Sequence, residues 1–112
     1  MNFEVYPTLD FQRAFKALAK RHRSLPADMK EFVKSLKKDP YQGVELSPGI
    51  RKIRMAITSK DRGKSGGARV ITYTILPDEF DGRVYLLDIY DKSDADSVNL
   101  DVIKEVVSDI GL

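Results

Sequence analysis

Lys52 and Arg54 stand two residues apart in the run KIRMAIT, and at that spacing two side chains leave a β-strand on the same face. Ile53, Met55 and Ile57 leave the opposite face and form the natural core side. Like charges side by side on an otherwise apolar strand repel, and a polyanion laid across the sheet would relieve that repulsion. The cationic stretch continues through Lys60, Arg62 and Lys64, crosses a glycine-rich loop, and re-enters a strand at Arg69. Between Ile50 and Arg69, seven cations (Arg51 among them) face one acid, enough to neutralise several phosphates at once. A solvated hairpin edge, where lysine blunts aggregation, would also account for Lys60, Arg62 and Lys64. It does not account for Arg69, which opens a strand with apolar residues on both parities. The loop Gly63-Lys-Ser-Gly-Gly is not a P-loop, because Thr58 stands where the first glycine is needed and a strand, not a helix, follows. Its backbone amides are still free to approach a phosphate.

Tyr73, Tyr85 and Tyr90 fall on the two strands beyond this loop, where a phenol can stack a base, transfer a proton or simply pack half-buried. Strict alternation puts Tyr85 on the opposite face from Tyr90, so the three do not share one site. Tyr90 is the stronger candidate, with Asp88 and Lys92 on its side at the strand end. Asp88 is a carboxylate in an apolar strand and calls for a cationic partner, Arg54 or Arg69. His22, the only histidine, ends a helix where a cation suits the dipole, a structural or surface position. With one histidine and no cysteine, a metal site would need a carboxylate cluster, and the acidic stretch Asp88 to Asp96 lacks calcium-loop spacing. No metal or cofactor is expected, and no Ser-His-Asp arrangement is available.

Positioning these groups requires a sheet with a helical backing. Phe3–Tyr6 alternates as a short strand, and Thr8 is placed to cap a helix carrying Phe11, Phe15 and Leu18. A second helix follows Ser24-Leu-Pro, with Leu25, Met29, Phe32 and Leu36 as its stripe, and Asp39-Pro40 ends it. Tyr41 to Gly49 holds Gly43, Pro48 and Gly49 and reads as a surface connection. Strands are expected at roughly Arg51–Ile57, Ala68–Leu76 and Arg83–Tyr90, the last after the Asp81-Gly82 turn. Asn99 can cap a final helix bearing Leu100, Ile103, Val107 and Ile110. The expected fold is α+β in the order β-α-α-β-β-β-α, an N-terminal helical hairpin packed on a small, mostly antiparallel four-stranded sheet. At 112 residues the chain is expected to be a single domain over 1–112.

Charge is distributed unevenly. Residues 1–69 carry 16 of the 19 Lys/Arg but 7 of the 17 Asp/Glu, a balance of +9, and the remainder has a balance of −7. One cationic surface is expected from this asymmetry. The absence of cysteine, of an apolar spanning run and of a signal-peptide pattern in MNFEVYPTLD points to a cytoplasmic protein with no membrane partner.

Four segments in order, FxxxFKxLAK, DPYQGVELSPGIRKIR, GKSGGARVITY and VYLLDIYDKS, resemble the RelE/ParE toxin superfamily, above all its RelE/HigB-like branch. The resemblance spans nearly the whole chain. It implies a RelE-like fold and the toxin of a type II toxin–antitoxin pair. The activity it implies is a metal-independent, ribosome-dependent endoribonuclease, with mRNA in the 30S A site as substrate and a cognate antitoxin as partner. In that chemistry the 2′-hydroxyl attacks the neighbouring phosphate and the 5′-oxygen leaves. Lys52 and Arg54 match the family's basic pair on its second strand, Arg69 the arginine opening its third, and Tyr90 and Lys92 its Y-x-K segment. These five are the catalytic candidates: Arg69 and Arg54 for transition-state charge, Lys52 for phosphate positioning or proton transfer, Tyr90 and Lys92 for general acid or base stacking. Arg51, Lys60, Arg62 and Lys64 are the RNA-binding candidates, with Asp88 and Tyr73 supporting. Some members carry an arginine and a tyrosine where this chain has Ser93 and Asp94–Asn99, and others use sheet histidines that it lacks. A ParE-like, non-nucleolytic inhibitor of DNA gyrase and a catalytically weak RNA-binding relative are the alternatives within the same resemblance.

Overall fold

The computed structural model describes residues 2–60 and 63–111. Its elements are β1 (Asn2–Pro7), α1 (Leu9–Ala19), α2 (Leu25–Lys38), β2 (Val44–Ser47), β3 (Ile50–Met55), β4 (Ala68–Ile75), β5 (Asp81–Asp91) and α3 (Leu100–Asp109), with a single 3₁₀ turn at Thr58–Lys60. The strands form one sheet in the order β1-β5-β4-β3-β2. All neighbouring pairs are antiparallel except β1 with β5.

Helix ends follow local chemistry. The Thr8 hydroxyl accepts from the Phe11 amide at 3.1 Å and donates to the Leu86 carbonyl at 2.9 Å, so one cap also seats α1 on β5. Asp39, in extended backbone before Pro40, stops α2. The Asn99 side chain accepts from the amides of Asp101 and Val102 at the start of α3.

Two corrections arise in the sheet. It has five strands rather than four, because Val44–Ser47, expected as a surface connection, pairs with β3. Gly43 and Gly49 have φ of 74° and 81°, and with Pro48 they form the bends of a tight hairpin rather than of a loose loop. The second correction is a bulge in β5. Ile71 faces Asp88 while Thr72 faces Leu86, leaving Leu87 as an extra residue. The insertion resets the alternation, so Tyr73, Tyr85 and Tyr90 all pack on one side, against a cluster that includes Ile50, Ile71, Leu87 and Ile103.

The two sheet faces are covered differently. Ile53, Met55, Val70, Val84, Leu86 and Ile89 meet Phe11 and Leu18 of α1 and the buried stripe of α2. The opposite face carries the smaller cluster and receives α3, of which Ile103 alone is fully buried. No helix among the described residues is long and apolar enough to cross a membrane.

The cationic loop returns to the sheet at Gly67. A Cβ there would lie 2.2 Å from the Met55 carbonyl oxygen and 2.9 Å from the Ile57 amide nitrogen, and the Gly67 carbonyl accepts from the Lys92 amide at 2.9 Å. Substituting Gly67→Ala is therefore expected to cost about 1–3 kcal/mol through overpacking. Urea unfolding would register this as a lower midpoint at unchanged slope.

Candidate nucleic-acid interface

Cross-strand register assembles the site. Lys52 pairs with Ile71, and Ile71 with Asp88; one row along, Arg54 pairs with Arg69, and Arg69 with Tyr90. On this face lies an open groove of about 520 Å³ whose charged lining is Lys52, Arg54, Lys64, Arg69, Lys92 and Asp96. Gln42, Gly43 and Val44 form its outer wall. The structure thus brings four of the five catalytic candidates and Lys64 into one cavity, with Tyr90 in the adjoining column.

Arginines directly opposite each other on a sheet face repel. The fold answers by turning the two apart. Arg69 is 5% exposed, and its guanidinium donates to the carbonyls of Lys64 at 3.2 Å, Ala68 at 3.2 Å and Ser65 at 3.0 Å. It organises the glycine loop and sets positive potential in the groove floor, while Arg54 extends to solvent. Lys92 meets Asp96 at 3.2 Å, but the Asp96 side chain is 95% exposed. Such a pair contributes little and yields readily to a better anion.

The Tyr90 hydroxyl is buried and has no hydrogen-bond partner among the described residues. Burial pushes its pKa up, partly opposed by Arg69, so the phenol stays protonated at neutral pH. An orphaned buried donor carries an uncompensated desolvation cost.

Other candidates sit elsewhere. Asp88 pairs with neither Arg54 nor Arg69; among the described residues it accepts only from the Ile89 amide, at 2.9 Å. Burial, with Asp10 adding to it, pushes its carboxyl up. It shares its row with Lys52, not with the arginines, and Arg69 is already turned toward the loop. Lys60 leaves the cationic face to meet Asp91 at 2.6 Å. Arg51 projects on the opposite side from Lys52, donating to the carbonyls of Gln42 at 2.8 Å and Gly43 at 3.2 Å. Tyr73 packs half-buried in the smaller cluster, outside the groove lining. Arg62 lies outside the described residues.

The carboxylate that does gather cations is Asp91, 1% exposed. His22 Nε2 lies 2.9 Å from its Oδ2, and Lys60, the Ser93 hydroxyl and the Ser93 amide converge on its Oδ1. This cluster ties the α1–α2 turn and the 3₁₀ turn to the end of β5, between Tyr90 and Lys92. Sequence reasoning missed it because the partners lie 69 and 31 positions away. No protein-family model matches the chain.

Burial pushes the Asp91 carboxyl up, but its hydrogen bonds from Lys60, Ser93 and His22 outweigh that and hold it far below the usual range. With the folded pKa below the unfolded value of about 3.9, Asp91 stabilises at neutral pH, and that contribution is lost as pH falls through about 4 and below. Asp91→Asn is expected to cost about 3–5 kcal/mol at pH 7 by stranding Lys60. Its stability should also fall less steeply with acidification than the wild type's, as denaturation at pH 7 and pH 3.5 would show.

Proposed function

We propose that the protein is a RelE-like toxin of a type II toxin–antitoxin pair that cleaves mRNA on the ribosome as an endoribonuclease. The observation that carries this reading is the groove itself: five cations converge on one sheet face beside a buried, unpartnered phenol. The ordered sequence resemblance supports it independently. The helical hairpin packed on one face of a mostly antiparallel sheet agrees with that family's architecture, with β2 as an added edge strand. A cytoplasmic setting and a cognate antitoxin belong to the same proposal, the antitoxin presenting an acidic segment to the groove.

In this mechanism the 2′-hydroxyl oxygen attacks the adjacent phosphorus while its proton passes to solvent. Charge builds on the non-bridging oxygens of the phosphorane, where Arg54 and Lys52 lie within the groove and Arg69 supplies positive potential from its floor. The bond from phosphorus to the 5′-oxygen then breaks, leaving a 2′,3′-cyclic phosphate. Tyr90 gives its proton to the departing 5′-oxygen, a role that its raised pKa suits by keeping the phenol protonated. Lys92 exchanges Asp96 for a backbone phosphate.

With purified ribosomes programmed with a short mRNA, the wild type should cut within the A-site codon. Arg54→Ala should lower the rate by about 10²–10³-fold, and Tyr90→Phe by about 10²–10⁴-fold. Tyr90→Phe should leave the unfolding midpoint unchanged or raise it, since it deletes an unsatisfied buried hydroxyl. Any loss of wild-type rate through Tyr90 ionisation should occur only above pH ~10. An uncut message, or a full rate in Tyr90→Phe, contradicts the assignment.

A further inference from the structure

The groove does not end at β3. β2 pairs with β3 no further than Lys52, and past that point a second recess of about 320 Å³ opens between β3 and α2. Gln42, Arg54 and Lys64 line both cavities, so the two are continuous around the uncovered strand edge. Their chemistry differs. The groove is cationic, whereas the recess has an apolar floor of Phe32 and Met55 and acceptor groups from Glu31 and Ser35.

At the junction the Gln42 amide is held in one orientation. Its Nε2 donates to the Asp39 carbonyl at 2.8 Å and to Ser35 Oγ at 3.2 Å. Ser35 spends its own hydroxyl hydrogen on the Phe32 carbonyl at 2.7 Å, so toward Gln42 it acts only as an acceptor. A flipped amide would set its oxygen against two acceptors. The remaining end of the amide is therefore Oε1, which accepts and cannot donate. The backbone beneath is fixed as well: Arg51 holds the Gln42 and Gly43 carbonyls, and Gly43 sits so close to β3 that a Cβ would lie 2.1 Å from the Lys52 carbonyl oxygen.

We infer that this recess is a nucleobase subsite, in which Gln42 Oε1 selects a base bearing an exocyclic amino group on the nucleotide next to the phosphate held in the groove. The inference rests on reading the groove as a track for single-stranded RNA. Phe32 and Met55 provide the apolar floor, and the oriented acceptor discriminates against uracil, which offers a carbonyl where cytosine offers an amino group. Arg51 thus serves the RNA surface indirectly, by building the wall that aims Gln42.

The test compares 2′-O-methyl decamers of cytidine and uridine, which cannot undergo 2′-hydroxyl attack, by fluorescence anisotropy with the full chain. The two differ at the base edge that Gln42 would read. The wild type should favour the cytidine decamer by about fivefold, the equilibrium factor of one hydrogen bond. Gln42→Ala should remove that preference, bringing the two decamers to equal affinity. Ser35→Ala, which leaves the Gln42 side chain in place but removes one of its two anchors, should reduce the preference. Equal wild-type binding of the two decamers, or a preference that survives in both variants, overturns the subsite and leaves the nuclease reading standing. A uniform loss of both decamers in Gln42→Ala assigns Gln42 a purely structural role and overturns its selectivity. If neither decamer binds the wild type, the track and the subsite fall together.

Discussion

Like-charge repulsion on one sheet face is the constraint around which this structure is arranged. Register sets Arg54, near the end of β3, against Arg69, near the start of β4, with Lys52, Lys64 and Lys92 lining the same groove. A fold that merely tolerated these charges would scatter them or pair each with a carboxylate. Instead Arg69 is drawn into the sheet by the carbonyls of Lys64 and Ser65 in the loop and of Ala68 beside it, which accept from its guanidinium without cancelling its charge. Neutral acceptors preserve the positive potential along the groove.

Asp96 pairs with Lys92 in the groove lining, but the buried negative charge of Asp91 is held to the side. Asp91, the last residue of β5, lies between Tyr90 and Lys92, so it points into the helical side of the sheet and takes up Lys60 and His22. Arg21 and Asp94 close an exposed pair beside it at 2.6 Å. The strand end that carries Tyr90 and Lys92 is therefore anchored from behind by an ion-pair cluster and remains cationic in front. Gly67 completes the arrangement, since only a residue without a side chain lets the loop return between the ends of β3 and β5.

Much of this was legible from residue spacing. Lys52 and Arg54 share a face because a strand repeats every two residues, and the caps at Thr8 and Asn99 and the stop at Asp39-Pro40 act over a few positions. What escaped depends on distant register. The glycines and proline around Val44–Ser47 punctuate a hairpin and a loose loop alike, and only the pairing with β3 separates the two. The bulge at Leu87 is set by the match between β4 and β5, so simple alternation put Tyr85 and Tyr90 on different faces. Alternation also drew attention to Asp88, whereas burial and long-range partners single out Asp91. The orientation of the Gln42 amide rests on Ser35, Phe32 and Asp39 acting together, which no linear motif encodes.

We propose that the Arg69-organised groove makes this chain a ribosome-linked nuclease. The most direct test is to induce the wild type and Arg69→Ala in a bacterium and map 5′-hydroxyl ends of cellular mRNA by selective ligation. New ends clustered within translated codons for the wild type, and absent for the variant, are the predicted result. Growth arrest with no new 5′-hydroxyl ends would contradict it and turn attention to a bound target such as DNA gyrase. An identical set of ends in Arg69→Ala would remove the groove from the chemistry.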